Sequence, residues 1–455
     1  MILMRQTIRV PSVTGFVFLA SFAALTGCAA GRCGGASSGV APPAPLGNRP
    51  ERLEWFRDLG LGMFIHWSMD SQLGVVISHS MVGASKQYLD RYVNELPRGF
   101  NPRRFDPDRW AYLAKLCGMR YVVFTTKHHS GFCMFDTKTT DFSIMHTPYR
   151  RDITRQIVDA FRRQGIAVGF YYSPDDFWML YKQGYDISRS NRECMPVNNP
   201  PLLAHDKAQL RELLTHYGPI DIMFLDGPAE ELRELCWQLQ PQIVITRGAM
   251  ATPEQALPDQ PIPGAWEACF TLGDNWGYKP TNNNYKSGTR LIEMLVETRA
   301  KGGNLLLNVG PTPDGEIPPE EEARLREWAL WNFINGCAVF DTRPWHVIRE
   351  GNIWFTRMKD ADTVFAVVTG EPWPFGEKRT ITLKSVRATP QTEIELLGQT
   401  GRVLEYKPDV VPKATWTQDE TGLHITAMRA QRLYDNYMWP NPVVIRITHA
   451  KAATQ

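Results

Sequence analysis

Several patterns that would assign this 455-residue chain to a common functional class are missing from it. None of its 8 cysteines forms a C-x-x-C pair, which argues against a zinc ribbon or a dithiol redox site. No G-x-G-x-x-G follows an apolar run, which argues against dinucleotide binding. The chain has 50 Lys and Arg against 48 Asp and Glu and no long basic run, so the charge pattern of a nucleic-acid-binding protein is absent.

The first 28 residues have the pattern of a bacterial export signal. Arg5 and Arg9 form a basic start, an apolar stretch follows over 13–25, and the sequence LTGC ends at Cys28. This resembles a lipobox, in which Cys28 becomes the lipid-modified first residue of the mature chain, and an ordinary cleaved secretory signal is the alternative. The apolar stretch is shorter than the roughly 20 residues that a membrane-spanning helix needs.

We therefore predict a lipoprotein-type signal over 1–28 and a flexible, Gly-, Pro- and Ala-rich linker over 29–48. The protein is then exported to the cell envelope, either periplasmic or anchored at the outer membrane, and the lipid is its one contact with a membrane. If Cys28 is lipidated, seven cysteines remain, and an odd number in an exported chain predicts at least one buried free thiol.

The middle of the chain alternates β-rich apolar runs with amphipathic helical patterns. Continuous apolar strands separated by helices predict a parallel sheet covered on both faces. Seven or eight such units favour an α/β fold, a (β/α)8-like barrel over 49–342. From about residue 345, period-two alternation without helices predicts an antiparallel β-sandwich over 343–455. The predicted barrel strands are 62–67, 121–126, 167–173, 221–226, 242–247, 265–270 and 304–309.

Most of these strands end in a polar or ionisable residue. Catalytic groups of (β/α)8 barrels lie at the carboxyl ends of the strands, so we expect these side chains to share one pocket. Neighbouring residues on a strand point to opposite faces, so His128 and His129 can both reach a pocket only where the strand gives way to a loop. The strand-end residues are His66, His128, His129, Tyr171, Tyr172, Asp226, Arg247 and Glu267.

Two carboxylates in this set are suited to general acid/base chemistry. Asp226 ends the apolar run DIMFLD and precedes Gly227, and capping of the next helix is its competing, purely structural role. Glu267 follows Trp266 in an apolar setting, which raises a carboxyl pKa as a proton donor requires. Two carboxylates about 5 to 5.5 Å apart would support retaining glycoside hydrolysis.

A metal site built from His66, His128 and His129 is the alternative that these residues leave open. The chain lacks the H-x-H and H-E-x-x-H motifs of such sites. Imidazole, guanidinium and phenol groups also suit the hydroxyls of a sugar. We therefore predict that no metal and no other cofactor is needed.

The chain contains the segments EWFRDLGLGMFIHW, YVVFTTKHHSGF, RRDITRQIVDAFRRQGIAVGFYYSPDDFW, IDIMFLDG, WEACFTLGDNWGY and KGGNLLLNVGPTPDGEIP. Together these six segments resemble α-L-fucosidases of glycoside hydrolase family 29 over about residues 52–335. The resemblance implies an exo-acting, retaining enzyme that removes terminal α-L-fucosyl groups from oligosaccharides or glycoconjugates through a covalent fucosyl-enzyme. It also implies Asp226 as nucleophile and Glu267 as acid/base, sugar-hydroxyl contacts from His66, His128, His129, Tyr171 and Arg247, and an aromatic wall that includes Trp276.

The chain departs from this family in two places near the expected pocket. Phe224 stands two residues before the nucleophile, where many members have Trp. The E-W-Y segment after the first strand is replaced by GVVISHSMVGASKQY, so His79 either supplies that contact or the contact is lost. A sugar-binding homologue without catalysis, and a glycosidase for an α-galactoside-like sugar or a sulfated fucan, are the alternative functions.

Overall fold

The computed structural model of the chain describes residues 46–281, 283–432 and 440–453. The predicted signal, Cys28 and all but the end of the predicted linker lie outside these residues. Residues from Leu46 onward form one compact unit. Its helices are α1 (Pro50–Leu59), α2 (Lys86–Asn94), α3 (Pro107–Leu116), α4 (Ile153–Arg163), α5 (Phe177–Gln183), α6 (Pro200–His216), α7 (Glu230–Leu239), α8 (Gly288–Ala300) and α9 (Pro319–Asn335).

Seven parallel strands form the main sheet, in the order β5-β4-β3-β2-β1-β7-β6. Almost all of their residues are buried, so both faces of the sheet are covered, as the continuous apolar runs predict. Each strand overlaps one of the seven predicted runs, so the predicted (β/α)8-like barrel architecture is confirmed. The strands are β1 (Leu61–Ile65), β2 (Tyr121–Lys127), β3 (Ala167–Tyr172), β4 (Ile222–Leu225), β5 (Val244–Ile245), β6 (Glu267–Thr271) and β7 (Asn304–Val309).

The sheet is extended beside β6 by the irregular segment 251–255. Its backbone bonds to β6 include Cys269 N to the Pro253 carbonyl at 3.0 Å and Gln255 N to the Cys269 carbonyl at 3.0 Å. The segment runs parallel to β6 from the level of Glu267 onward, and it places Glu254 beside Cys269.

Helices of the barrel begin at residues whose side chains satisfy free backbone N–H groups. Asp106 accepts from Arg109 N at the start of α3, and Asp176 accepts from Met179 N at the start of α5. Such a cap contributes about 0.5–2 kcal/mol. Asp176 follows β3 closely, so the cap also determines how the chain leaves the strand.

The C-terminal part is an antiparallel β-sandwich with its own apolar core. A five-stranded sheet, β13-β16-β10-β9-β8, accompanies a three-stranded sheet, β11-β15-β14, and the pair β12-β17. Phe355, Ala366, Ile425 and Ile445 are fully buried in this core. The strands are β8 (Thr342–Glu350), β9 (Ile353–Met358), β10 (Val364–Val368), β11 (Lys378–Leu383), β12 (Val386–Arg387), β13 (Ile394–Leu396), β14 (Thr415–Asp419), β15 (Gly422–Met428), β16 (Val443–Ile447) and β17 (Lys451–Ala452).

The described cysteines carry free thiols. Five of these six side chains are buried and Cys337 is exposed, which confirms the expected buried free thiol. Over the described ranges, no helix combines the length and apolar character that a bilayer span requires.

Candidate active site

A cavity of about 260 Å³ opens at the carboxyl ends of the barrel strands. It is smaller than the roughly 300–1,000 Å³ typical of sites for drug-sized ligands, which suits a single sugar ring. Nine of the ten residues predicted for the catalytic and sugar-binding roles line it, and Glu267 does not. The nine are His66, His79, His128, His129, Tyr171, Phe224, Asp226, Arg247 and Trp276.

Asp226 follows β4 and receives hydrogen bonds from two neighbouring strand ends. Tyr171 Oη donates to Oδ2 at 2.7 Å, Arg247 Nη1 donates to Oδ1 at 2.9 Å, and His129 Nε2 lies 3.5 Å from Oδ2. Burial alone would raise the pKa of Asp226, but His129, Arg247 and Tyr171 outweigh burial and hold the pKa well below its usual range. The carboxylate is therefore ionised and oriented, as a nucleophile requires.

The helix-capping alternative for Asp226 is excluded by the start of α7. The residue at the cap position is Ala229, and no side chain caps the helix. Asp226 instead points into the cavity with its side chain 17% exposed. The neighbouring strand shows the same division of faces: Tyr171 points to Asp226, whereas the Tyr172 hydroxyl donates to Asp206 at 2.7 Å on the other face.

His66 and His128 present complementary nitrogens to the cavity. Asn308 uses its Nδ2 to donate to the Trp276 carbonyl at 2.6 Å, so its Oδ1 accepts from His66 Nδ1 at 2.6 Å and leaves His66 Nε2 as an acceptor. His128 Nδ1 accepts from the His129 backbone N at 2.9 Å, so its Nε2 carries the proton and is a donor. Burial lowers the pKa of His66 to about 3 and that of His128 well below its ordinary value, so both rings are neutral.

Aromatic rings form an apolar wall beside these polar groups. Phe64 lies 5.8 Å from the Trp276 ring and 5.1 Å from the Phe224 ring, centroid to centroid. Tyr171 stacks on Phe224 at 5.5 Å, and the Arg247 guanidinium carbon lies 4.8 Å above the same ring. Phe224 is therefore part of this apolar wall.

The structure contradicts the prediction that Glu267 faces the sugar pocket. Glu267 is the first residue of β6 and pairs with Asn304, the first residue of β7, so it lies at the amino ends of the strands. Its side chain is fully buried and accepts from the Tyr121 hydroxyl at 2.6 Å, at the start of β2. Burial does raise its pKa to about 7, as predicted, but the proton is held in the barrel interior.

Glu254 is the second carboxylate in the cavity, and the sequence analysis missed it. It lies in segment 251–255, lines the cavity, and forms an ion pair with Arg247 Nη2 at 2.9 Å. Arg247 Nη1 binds Asp226, so one guanidinium bridges both carboxylates. The available signal was position: Glu254 lies in the connection between β5 and β6, nine residues after Ile245, the last residue of β5.

Ser78 and Arg189 were also missed, and both lie on loops that follow barrel strands. Ser78 Oγ lies 2.8 Å from His79 Nδ1 in the segment that replaces E-W-Y. Arg189 lies in the loop between α5 and α6 and donates from Nε to Asp175 at 2.9 Å. The backbone bond from Gly83 N to the Ile187 carbonyl, 3.3 Å, joins these two loops.

A larger groove, of about 570 Å³, lies between α3 and α9. Its charged side chains pair with one another, as Arg104 with Glu316 at 3.1 Å and Arg109 with Glu322 at 3.0 Å. These charges are already satisfied, so the smaller cavity at the strand ends is the better candidate for chemistry. Within the described part of the chain, no group of three His, Cys, Asp or Glu side chains is arranged to hold a metal ion.

A parallel (β/α) barrel with two carboxylates, neutral imidazoles and an aromatic wall at its strand ends defines a glycoside hydrolase. Comparison with known proteins gives the particular family. The alpha-L-fucosidase family model matches residues 42–337, and the chain belongs to that family. The resemblance and the enzyme class predicted from the six segments are confirmed.

Similar proteins and solved structures agree with this assignment. The tissue alpha-L-fucosidase of Mus musculus is 29% identical over 414 residues, which cover 80% of this chain and 85% of the relative. The structure of alpha-L-fucosidase isoenzyme 1 from Paenibacillus thiaminolyticus is 28% identical, with a TM-score of 0.71 over 88% of this chain and 98% of the other. A family 29 alpha-L-fucosidase from Bacteroides thetaiotaomicron, trapped as a covalent intermediate with 2-fluoro-fucosyl fluoride, is 25% identical, with a TM-score of 0.69 over 90% and 98%.

Proposed function

We propose that the chain hydrolyses terminal α-L-fucosyl linkages of oligosaccharides or glycoconjugates, with Asp226 as nucleophile and Glu254 as acid/base. The observation that carries this proposal is the bridge from Arg247 to both carboxylates in one cavity. Retaining hydrolysis requires two carboxyl groups on either side of one anomeric carbon. Glu254 thus takes the role that was first predicted for Glu267.

In the first step an Asp226 oxygen attacks the anomeric carbon while the bond to the leaving oxygen breaks. For this step Glu254 is in its protonated form, having taken up a proton from solvent; it gives that proton to the leaving oxygen, and a fucosyl ester of Asp226 forms. In the second step Glu254 accepts a proton from water, whose oxygen attacks the anomeric carbon and breaks the ester. Fucose leaves with its configuration retained, because two inversions have occurred.

The other pocket residues bind the sugar in this proposal. His66 Nε2 accepts from one hydroxyl and His128 Nε2 donates to another, as their hydrogen bonds to Asn308 and the backbone dictate. His129, Tyr171 and Arg247 contact hydroxyls next to the reacting carbon while they hold Asp226. Phe224 and Trp276 face the apolar edge of the ring, and His79 lies at the mouth, where it contacts an outer hydroxyl.

The test compares azide rescue in two variants, with an aryl α-L-fucoside as substrate. In Asp226→Gly, azide can occupy the space of the lost nucleophile and attack directly, so we expect a fucosyl azide of inverted configuration. In Glu254→Ala, azide intercepts the Asp226 ester, so we expect an azide of retained configuration. NMR of the products distinguishes the two anomers, and 2-fluoro-fucosyl fluoride should label Asp226 in the wild type, as mass spectrometry of its peptides would show.

Near-normal turnover by Asp226→Gly would refute the nucleophile assignment. Fucose binding without release of sugar from any fucoside would favour a binding protein instead. A panel of aryl glycosides that includes galactosides and sulfated fucosides tests the sugar specificity. We expect the fucoside to be turned over fastest, because the rings of Phe224 and Trp276 present an apolar surface that suits a methyl group.

The proposed location is the bacterial cell envelope, through a lipid on Cys28. The support is the basic start, the apolar stretch and the LTGC sequence of residues 1–28. Cys28→Ser should move the protein from the detergent phase to the aqueous phase on partitioning, because the acylated residue is lost. Cys33→Ser, five residues further on, is the matched control and should leave the partition unchanged.

A further inference from the structure

Arg189 brings a further guanidinium group to the active-site cavity. Arg247 Nη1 donates to Asp226 Oδ1 at 2.9 Å. His129 faces the other oxygen, Oδ2, at 3.5 Å, and Asp175 lies behind the imidazole, 3.6 Å from its Nδ1. Arg189 donates to that Asp175 carboxylate at 2.9 Å and lines the cavity with its side chain 41% exposed. Contacts therefore connect Arg247 directly to one oxygen of the nucleophile and connect Arg189, through two residues, to the other.

The loop that carries Arg189 is held by backbone contacts on both sides of the residue. Ile187, two residues earlier, is buried, and its carbonyl accepts from Gly83 N at 3.3 Å. Asn191, two residues later, closes a turn, since its backbone N donates to the Ser188 carbonyl at 3.1 Å. The guanidinium is therefore preorganised, and binding a ligand costs it little conformational freedom.

Both Nη atoms of Arg189 are available to a ligand. The bond to Asp175 uses Nε, and neither Nη1 nor Nη2 donates a hydrogen bond to any residue that the structure describes. A guanidinium holds its N–H donors in one plane, so the bond at Nε also fixes the direction of the others. The Asp175 carboxylate balances the charge of Arg189, and Asp226 would repel a nearby anion. The unused donors therefore suit neutral hydroxyl groups better than an anionic substituent.

Electrostatic effects place Arg189 close to residues that surround the sugar. Burial alone would lower the pKa of Arg189, but the charges of Asp175 and Asp226 outweigh burial and raise it. Burial lowers the pKa of His128 well below its usual value, and the charge of Arg189 contributes to that fall. The guanidinium is thus charged and within reach of both the nucleophile and a predicted sugar-binding imidazole.

We propose that Arg189 is a specificity-determining residue whose Nη groups donate to a hydroxyl of the fucosyl ring. The proposal rests on the proposed function, because the fucosyl ring is the sugar that Asp226 attacks. Residues 74–88, which replace the E-W-Y segment, are bonded to the loop of Arg189 by Gly83, so the two loops form one side of the cavity rim. Arg189 supplies a polar contact on the side where the sequence departs from the family.

The test pairs substitutions in the protein with deoxygenated substrates. Arg189→Met removes the donors, and the double variant Asp175→Asn/Arg189→Met also removes the carboxylate that would lose its partner. We expect kcat/KM for an aryl α-L-fucoside to fall about ten- to a hundredfold in both, as for a lost hydrogen bond from a charged donor. Among the 2-, 3- and 4-deoxy aryl fucosides, this loss should disappear for the substrate that lacks the bonded hydroxyl.

A merely structural role for Arg189 gives a different pattern. Distortion of the site would lower kcat/KM by the same factor for the fucoside and for all of its deoxy forms, and that result would overturn the inference. An unchanged kcat/KM in Arg189→Met would also overturn it. Arg192→Met is the matched control, because Arg192 lies on the same loop, is 76% exposed and does not line the cavity. This control should leave kcat/KM unchanged for every substrate.

Calorimetric titration with free L-fucose separates this inference from the proposed function. The Kd of Arg189→Met for L-fucose should be about tenfold or more above that of the wild type, and equal values would overturn the inference. If the wild type binds L-fucose but releases none from any fucoside, the proposed function fails, whereas weaker binding by Arg189→Met still supports the contact. A wild type that neither binds L-fucose nor hydrolyses fucosides would refute both.

Discussion

The two glutamates that compete for the acid/base role can be separated by matched substitutions. Glu254→Gln and Glu267→Gln each replace one carboxyl by an amide of the same shape. The structure places the first side chain in the cavity, ion-paired with Arg247, and the second in the barrel interior, bonded to Tyr121. Only Glu254→Gln removes a carboxyl group that could donate a proton to bound substrate.

The expected magnitudes follow from these environments. Loss of a positioned general acid typically costs about 10²–10⁴-fold in rate, so we expect kcat/KM for a natural fucoside to fall by that factor in Glu254→Gln. An aryl fucoside with a good leaving group needs little protonation, so its first step should fall far less. Its turnover should then be limited by ester hydrolysis, and azide should accelerate it.

Glu267→Gln should have little effect on kcat/KM in the same assay. Glutamine keeps an acceptor oxygen for the Tyr121 hydroxyl, and the carboxyl it replaces has its pKa raised to about 7 by burial. We expect kcat/KM to remain within about threefold of the wild type, because the side chain does not face the cavity. A threefold change corresponds to about 0.6 kcal/mol in the activation free energy. Steady-state kinetics on one natural and one aryl fucoside measures both variants. A large loss in Glu267→Gln, together with normal leaving-group dependence in Glu254→Gln, would refute the reasoning.

Three further predictions concern residues that support the site. Because the buried Glu267 binds its proton up to about pH 7 and the unfolded chain releases it near pH 4.5, the free energy of unfolding should fall as pH rises through this window. Chemical denaturation should show that Glu267→Gln reduces this fall by about 3 kcal/mol once the pH exceeds 7, and an equal slope in both proteins would contradict it. Asn308→Leu removes the acceptor of His66 Nδ1 and the donor to the Trp276 carbonyl, so kcat/KM should fall about ten- to a hundredfold, whereas an unchanged value would exclude this positioning role. Gly227→Ala forces a side chain into a backbone with φ of 154°, so thermal unfolding should show a loss of about 1–3 kcal/mol, and an unaltered Tm would show that the turn adapts.

The architecture and most of the pocket could be predicted from the sequence. The seven strand runs are apolar throughout because the sheet is covered on both faces. Such a run can be recognised within a short stretch of sequence. The residues at their carboxyl ends then follow from the rule that barrel strands converge at one mouth. His128 and His129 reach the cavity together, since β2 ends at Lys127 and the chain turns immediately afterwards.

Glu267 shows why a residue near a strand is harder to place than the strand itself. The predicted strand over 265–270 is close to the observed Glu267–Thr271, yet Glu267 begins the strand instead of ending it. Its apolar neighbours correctly predicted that the pKa of Glu267 is raised. They did not show that the residue lies at the amino end of its strand. A carboxyl buried at either end of a strand has the same local sequence pattern.

Burial and periodicity are properties of neighbouring residues, so the strands and helices could be predicted from local sequence patterns. The position of Asp226 at the end of a buried strand, beside other polar strand ends, follows from them. Contacts between elements place Glu254, in an irregular loop, beside the Arg247 that also binds Asp226, and they place Glu267 in the barrel interior, bonded to Tyr121. Backbone hydrogen bonds to β6 fix the conformation of segment 251–255. The segment itself has no strand or helix pattern that would predict this pairing. The pairing of two carboxylates in one cavity depends on such contacts between elements, and no local pattern encodes them.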